Sequence, residues 1–536
     1  VTDSDSSDLV RDLLRPEAYG DAGRSPVSLR TTHASWVFLT GDSVWKVKRP
    51  VSFRFLDFRT VEARRQACED EVRLNRRLAP DVYLGVDPIH RTAHGHAIAG
   101  EGPVVDWAVH MRRLPDSASA EALLARGELD AAALAEVAER LASFFADAGA
   151  APQFGSVAAL SRNVAENFAE VAPFVGDLLD RETFEEVQTF QTRALAERTE
   201  QFVARLAAGR IREGHGDLRL EHVYLLPGPD GRRQTVIIDC IEFNQRFRCG
   251  DTAAEVAFLA MELEAAGRPA LAAGFLARSA EASDDFGLYG VLDFYLSYRA
   301  WIRGKVAAFV AADPTTPRDV RSQKRAEAAR DFRLARSFGG KPLDRPFLIV
   351  VGGVIGSGKS VLASALGQEL AVPIISSDRT RKLRAGLRPT DRADAALYDQ
   401  DQREQTYVEL LRRAAGVLGA GRGVILDATF SAHRWRHAAA ETARAANADF
   451  AFIEAACPNR ELLRARLAAR RKGESVSDAT DELLEEFLRH YEPPGPADPG
   501  PRFSVDTGDS RETALWDARH QLESIGIVPP AERRGL

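Results

Sequence analysis

The stretch Phe347-Leu348-Ile349-Val350-Val351-Gly352-Gly353-Val354-Ile355-Gly356-Ser357-Gly358-Lys359-Ser360 decides how the rest of the chain is read. An apolar run suited to a buried parallel strand breaks into glycines and then enters an alanine- and leucine-rich helical pattern. Residues 353–360 match the phosphate-loop pattern G-x-x-x-x-G-K-[ST] without a mismatch. Gly353, Gly356 and Gly358 let backbone N–H groups, Ser357 among them, close around a polyphosphate at a helix N-terminus, where the partial charge is positive. Lys359 can reach the β- and γ-phosphates, and the Ser360 hydroxyl suits a magnesium ion. The expected ligand is therefore a nucleoside triphosphate, ATP or GTP, with Mg2+.

Working outward, Val372–Asp378 reads as a second strand ending in an aspartate, followed by Arg379, Arg381, Lys382 and Arg384. Ligands of parallel α/β sheets sit beyond the C-terminal strand ends. There Asp378 can take the proton of an attacking hydroxyl, and Arg381 can hold an anionic part of the acceptor. Val424–Phe430 has the form of an apolar strand ending in Asp427, the carboxylate expected at the magnesium. Ala451–Ala455 reads as a fourth strand. The helix beyond it carries Arg466 and Arg470 at i and i+4, placed to meet a transferring phosphoryl group together. The proline-rich stretch to Pro501 is expected to close over the acceptor, and a helix from about Arg511 to end the domain.

This half, about residues 345–530, resembles the P-loop kinase group, which includes polynucleotide kinases, gluconate kinase-like enzymes and zeta-toxin-like kinases. The spacing of Asp378 and Arg381 is most similar to the polynucleotide-kinase branch. That resemblance implies a general base at Asp378 and a substrate-phosphate ligand at Arg381.

The first half carries a second set of signals. Ser35–Leu39 and Ser43–Lys48 flank Thr40-Gly41-Asp42 and read as a hairpin, with Lys46 and Lys48 on one strand face. A helical pattern over Arg59–Leu78 places Glu71, Leu74 and Leu78 on one side. Residues 1–10 are polar and expected to fray, with a short helix near Leu9–Leu14. Leu129–Ala146 and a long stretch from about Arg162 to Ala208 read as helices. Next comes His215-Gly216-Asp217, then a short strand, a turn, and the strand Thr235–Asp239. Phosphoryl transfer calls for two acids of this kind, one for the acceptor hydroxyl and one for the metal. Arg248, Asp251 and Glu255 read as salt-bridge partners beneath this loop.

These residues resemble the aminoglycoside phosphotransferase family, a branch of the protein-kinase-like fold, over about residues 25–335. The resemblance implies Asp217 as catalytic base, Asp239 as metal ligand, Lys46 (alternatively Lys48) as the ATP-gripping lysine, and Glu71 as its partner. Met111-Arg112-Arg113-Leu114-Pro115 falls where the family holds adenine, which makes Met111 a nucleotide-site residue. His222 stands at the second metal position, where the family has asparagine; imidazole is a poor partner for magnesium. The glycine-rich lid of kinases is replaced by Thr32-His33-Ala34-Ser35.

The expected fold class is two domains: a protein-kinase-like α+β bilobal domain followed by a P-loop α/β domain with a parallel sheet. The boundaries are 1–338 (N-lobe about 1–115, C-lobe about 116–338), a linker at 339–346, and 347–536. A length of 536 residues suits several cores. The net charge of −7 argues against a general nucleic-acid coat, so nucleic acid ranks behind a small hydroxylated molecule as acceptor. Cys68, Cys240, Cys249 and Cys457 lack metal or redox spacing and read as reduced packing residues. The start does not read as a signal peptide, and no apolar run nears the roughly 18 residues of a membrane span. A cytoplasmic kinase acting on a sugar or aminocyclitol is the expectation. The alternatives are a nucleotide-sensing protein with a degenerate first domain, and a polynucleotide 5′-hydroxyl kinase. Oligomeric state is left open by the sequence.

Overall fold

The computed structural model describes residues 3–23, 25–53, 56–228, 231–340, 343, 345–388, 391, 395–470 and 481–529. The chain resolves into two compact units, residues 1–166 with 202–266 and residues 167–201 with 267–536. The helices over 269–337 thus belong to the same unit as the phosphate loop, and the expected linker at 339–346 falls partly outside the described residues.

The first unit is built on a six-stranded antiparallel sheet. Its strands run in the order Ser28–Thr31, Ser35–Thr40, Ser43–Lys48, Val104–Arg112, Tyr83–Thr92, Gly95–Ala97. The expected hairpin is present, with Thr40 paired to Ser43 across the turn. Helix Val61–Asn75 starts at the cap Thr60, whose side chain accepts from the Ala63 N–H, and lies against this sheet. Glu71, Leu74 and Leu78 are all buried, as their shared face requires. A core of Leu39, Val44, Cys68, Val72, Val109, Met111 and Leu226 joins sheet, helix and the hairpin Val223–Pro227/Arg233–Ile237. Below it, Ile211–Glu213 pairs with Cys249–Asp251, which leads into the buried helix Thr252–Ala265. The amino-terminal helix spans Asp3–Leu13, longer than the polar sequence suggests, because Leu9 and Leu13 pack into a core with Phe38 and Trp45. The long helical stretch is broken into Val157–Val171, Arg181–Glu197 and Thr199–Ala207, with the cap Asp180 starting the second piece, and its residues 167–201 belong to the second unit. All four cysteines are free and buried.

In the second unit, five strands form an all-parallel sheet in the order Ile374–Ser376, Val424–Asp427, Phe347–Gly352, Asp449–Ala456, Arg502–Asp506. The phosphate-loop strand is central and fully buried. Leu362, Ala363 and Leu366 of helix Lys359–Leu370 pack on Ile349, Val351, Ile425 and Ile453. The fifth strand escaped the sequence reading; it buries Val505 in this core. Among the described residues, no helix is long and apolar enough to cross a membrane.

Candidate functional sites

In the second unit the geometry at the glycines is dictated by close approach. Gly353 adopts φ +134°, and a Cβ there would stand 2.6 Å from the Ala455 carbonyl oxygen. Gly358, at φ +95°, precedes Lys359 at the helix start, and Gly356 is also left-handed at +79°. The Gly353 N–H donates to the Thr429 carbonyl at 3.1 Å, tying the loop to the turn that follows Asp427. Asp427 pairs in register with Val351 and Ser376, so sheet register brings it beside the phosphate loop.

Asp427 is 6% exposed, and its Oδ1 has no hydrogen-bond partner among the described residues. Burial pushes its carboxyl up from the usual range; the Lys359 ammonium and the hydroxyls of Ser360 and Ser376 oppose that rise, and Asp378 adds to it. A buried carboxylate oxygen left unpaired, with a serine hydroxyl and an ammonium beside it, is a donor set that fits magnesium and a polyphosphate. Asp378 lies in the first turn of helix Ser377–Arg384 rather than on the strand. Arg381 Nη1 donates to its Oδ1 at 2.9 Å, and the carboxylate stays 26% exposed. The Arg381 guanidinium also stacks over Tyr398, 4.5 Å from the ring centroid.

Arg466 is held against the loop by backbone contacts: Nη1 donates to the Ser357 carbonyl at 3.3 Å and Nη2 to the Thr507 carbonyl at 2.5 Å. Thr507 in turn donates its hydroxyl to the same Ser357 carbonyl. Arg466 therefore braces the loop from its backbone side. The side chain of Arg470 and the whole of Arg471 lie outside the described residues, so the expected arginine pair is left with one described side chain. The stretch after helix Asp481–His490 packs down firmly. Tyr491 donates to Glu454 at 2.6 Å, Glu492 accepts from the His433 N–H at 2.6 Å, and Asp498 accepts from Arg436 at 2.7 Å.

In the first unit, both candidate lysines converge on one glutamate. Lys46 Nζ lies 2.9 Å from Glu71 and 2.6 Å from Asp239; Lys48 Nζ lies 2.5 Å from Glu71 and also pairs with Glu242. Alternation on the strand puts the two lysines on one face, and the fully buried Glu71 spans them. Burial works against the charge of Lys46, but Asp239 and Glu71 outweigh it and hold its ammonium well above the usual lysine range. For Glu71, burial raises the pKa, but the two lysines outweigh it and bring the carboxyl below its ordinary value. Burial raises Glu242, with Lys48 opposing. Glu242 carries no motif beyond its place three residues after Asp239, and the strand pattern offers Lys48 only as an alternative to Lys46.

Asp239 sits at φ +66° beyond the strand Arg233–Ile237, and its N–H donates to the Tyr83 hydroxyl at 3.1 Å. Burial would raise its carboxyl, but Lys46 and then His222 hold it well below the usual carboxylate range. His215 Nε2–H donates to the Ile238 carbonyl at 2.8 Å while its Nδ1 accepts the Asp217 N–H at 3.3 Å. Burial, reinforced by His222, lowers its pKa to about 4, so this imidazole is a neutral brace for the loop. Gly216, at φ +88°, donates its N–H to Glu255 at 2.9 Å. Arg248 reaches Glu213, and Asp251 receives both arms of Arg205 at 2.7 Å, which makes this set a support beneath the loop.

His222 Nδ1 donates to the Asp217 carbonyl at 2.8 Å, and its Nε2 stands 3.5 Å from Asp239 Oδ2. Asp217, Asp239, Lys46, Glu71 and His222 are thus brought together. With Asp239 Oδ1 held by Lys46, Oδ2 facing an imidazole, and no oxygen at position 222, this donor set does not fit a magnesium site. Met111 is apart from the charged cluster, 8% exposed and packed in the core with Val44 and Leu39. The turn Thr32–Ser35 is held by Arg49, which donates to the Thr32 carbonyl at 2.9 Å, in place of a glycine-rich lid.

The first unit sets a buried lysine–carboxylate cluster against an antiparallel sheet, and the second carries a phosphate loop on an all-parallel sheet. The AAA domain family model matches residues 348–494. The chain is 32% identical over 504 residues to the uncharacterised protein Rv2004c of Mycobacterium tuberculosis, covering 92% of this chain and 95% of that protein. It belongs to the family of that protein. Among solved structures, a gluconokinase from Sinorhizobium meliloti 1021 is 22% identical with a TM-score of 0.25, covering 34% of this chain and 93% of its own. A choline/ethanolamine kinase family protein from Mesorhizobium loti is 12% identical with a TM-score of 0.33, covering 59% of this chain and 94% of its own.

Proposed function

We propose that the protein is a phosphotransferase with two kinase-type domains, moving the γ-phosphoryl group of ATP or GTP to a hydroxyl of a small molecule such as a sugar or aminocyclitol. The observation that carries this reading is the unpaired buried oxygen of Asp427 beside Ser360 and Lys359 at the phosphate loop. Bound magnesium nucleotide supplies the phosphoryl group and the metal charge that offsets its oxygens. The loop amides and Lys359 grip the phosphates, while Ser360 and Asp427 hold the metal side. Asp378, oriented by Arg381, accepts the proton of the acceptor hydroxyl, and Arg381 itself orients the acceptor. Arg466 keeps the loop in its binding shape through Ser357 and Thr507. Lys359→Ala is expected to abolish transfer by this domain in an assay of acceptor-dependent ADP release; retained turnover would remove the assignment.

For the first unit, Lys46, positioned by Glu71, is the phosphate-gripping residue and Asp217 the base. One observation favours a second reading, in which this unit binds a nucleotide and regulates rather than transfers: His222 faces Asp239 where a metal-binding oxygen would be needed. Nucleotide binding without Asp217-dependent turnover would select that reading.

A further inference from the structure

Helix Ser377–Arg384, which carries Asp378 and Arg381, follows the edge strand Ile374–Ser376 of the parallel sheet. An edge strand presents backbone groups that have no neighbour in the sheet. Here the outward Ile374 N–H donates to the Glu281 carboxylate at 2.9 Å. Glu281 lies near the end of helix Pro269–Ala282, outside the segment matched by the AAA domain model, and Arg278 holds its other oxygen at 2.8 Å. One residue on, the Ala282 carbonyl accepts from Arg379 Nη2 at 3.2 Å. Asp284 receives both arms of Arg413, at 2.6 and 2.9 Å, and the same guanidinium reaches the buried Thr380 hydroxyl at 3.4 Å. Arg413 also stacks over Phe286 and pairs with Glu409 on its own helix. The strand start and residues 379 and 380 are therefore tied to one short segment, 281–286, more than ninety positions earlier in the chain.

From these contacts we propose that Glu281, supported by Asp284, is a positioning residue for the acceptor side of the P-loop site. It fixes the register of the edge strand and, through it, the placement of Asp378 and Arg381. The functional part rests on the reading of Asp378 given above; the mechanical part does not. The nucleotide side is assembled within residues 347–507, from the loop, Asp427, Arg466 and Thr507. The acceptor side here needs a helix from outside that segment.

The test uses the full chain carrying Glu281→Ala, Glu281→Gln or Asp284→Asn. Hydrogen exchange is followed in peptides covering 374–384 and 347–366, alongside Mg-ATP hydrolysis with water as acceptor. Glu281→Ala is expected to exchange about tenfold faster over 374–384, the factor for losing one charge-assisted hydrogen bond, with 347–366 unchanged. Its kcat for hydrolysis should fall while KM for ATP stays constant. Glu281→Gln keeps an oxygen for the Ile374 N–H and should restore both readings; Asp284→Asn should loosen 374–384 as well. Unchanged exchange in Glu281→Ala, or equal losses in the Ala and Gln variants, would overturn the positioning role. Faster exchange with kcat unaltered would overturn its link to the site. Absence of hydrolysis by the unaltered protein would count against the phosphotransferase reading, while the exchange result would still decide whether Glu281 holds the strand.

Discussion

Lys48→Met removes one cation from a cluster in which Glu71 is fully buried and Glu242 is 7% exposed at its side chain. Lys46 still serves Glu71 and Asp239, so the group left without a partner is Glu242. Removing one member of a buried pair costs about 3–5 kcal/mol; since Glu71 keeps its second lysine, we take the lower end, about 3 kcal/mol. In a domain of this size that corresponds to a melting shift of roughly 6–12 °C for the first unit. The sign with pH follows from Glu242, whose carboxyl burial already raises. A raised carboxyl stabilises when protonated and loses that contribution as pH rises, so the penalty should be smaller at pH 5 than at pH 8. Glu242→Gln in the Lys48→Met background removes the orphaned charge and should recover most of the loss. Thermal unfolding of the four proteins of this cycle at both pH values gives the answer. A Lys48→Met penalty that is independent of pH, or that Glu242→Gln leaves untouched, would refute the charge-network account.

Two further outcomes are expected. Gly353→Ala places a Cβ 2.6 Å from the Ala455 carbonyl at a left-handed φ, so it should weaken nucleotide binding at least about tenfold and lower the melting temperature of the second unit; calorimetric titration with ATP checks this. His215, with a pKa lowered to about 4 from 6.5, should show no imidazole titration by NMR between pH 5.5 and 8. Because the unfolded chain takes up that proton first, its contribution is complete above about 6.5 and is lost as pH falls toward 4, and unfolding measured across that window should show the decline.

Much of the second unit was legible because its signals are local. A strand, glycines, Lys359 and Ser360 stand in one run, and Asp427 ends an apolar strand that has no other use for a carboxylate. The fifth strand was missed since Arg502–Asp506 is short, follows prolines, and owes its structure to pairing with Phe452–Ala456 rather than to its own propensity. The residue pattern puts Asp378 at a strand end, yet it belongs to a helix turn; boundaries at strand-to-helix junctions depend on hydrogen bonds that the residue types leave undetermined. In the first unit the Lys46–Glu71 pairing was foreseeable from a strand and a helix. The engagement of Lys48 by Glu242 spans 194 positions, and only the assembled fold brings it about. Arg466 illustrates the same limit: spacing on a helix does not reveal that its guanidinium is taken up by the carbonyls of Ser357 and Thr507. Glu281 carries no motif at all.

The most direct test of the phosphotransferase account is acceptor-dependent ADP and GDP release across sugars, aminoglycosides, nucleosides and 5′-hydroxyl oligonucleotides, using the unaltered protein, Asp217→Ala and Asp378→Ala. The account expects at least one small hydroxylated acceptor whose turnover is lost in Asp378→Ala and retained in Asp217→Ala, and a second acceptor with the reverse pattern if the first unit transfers. Turnover that survives both substitutions, or that appears only with oligonucleotides, would contradict it.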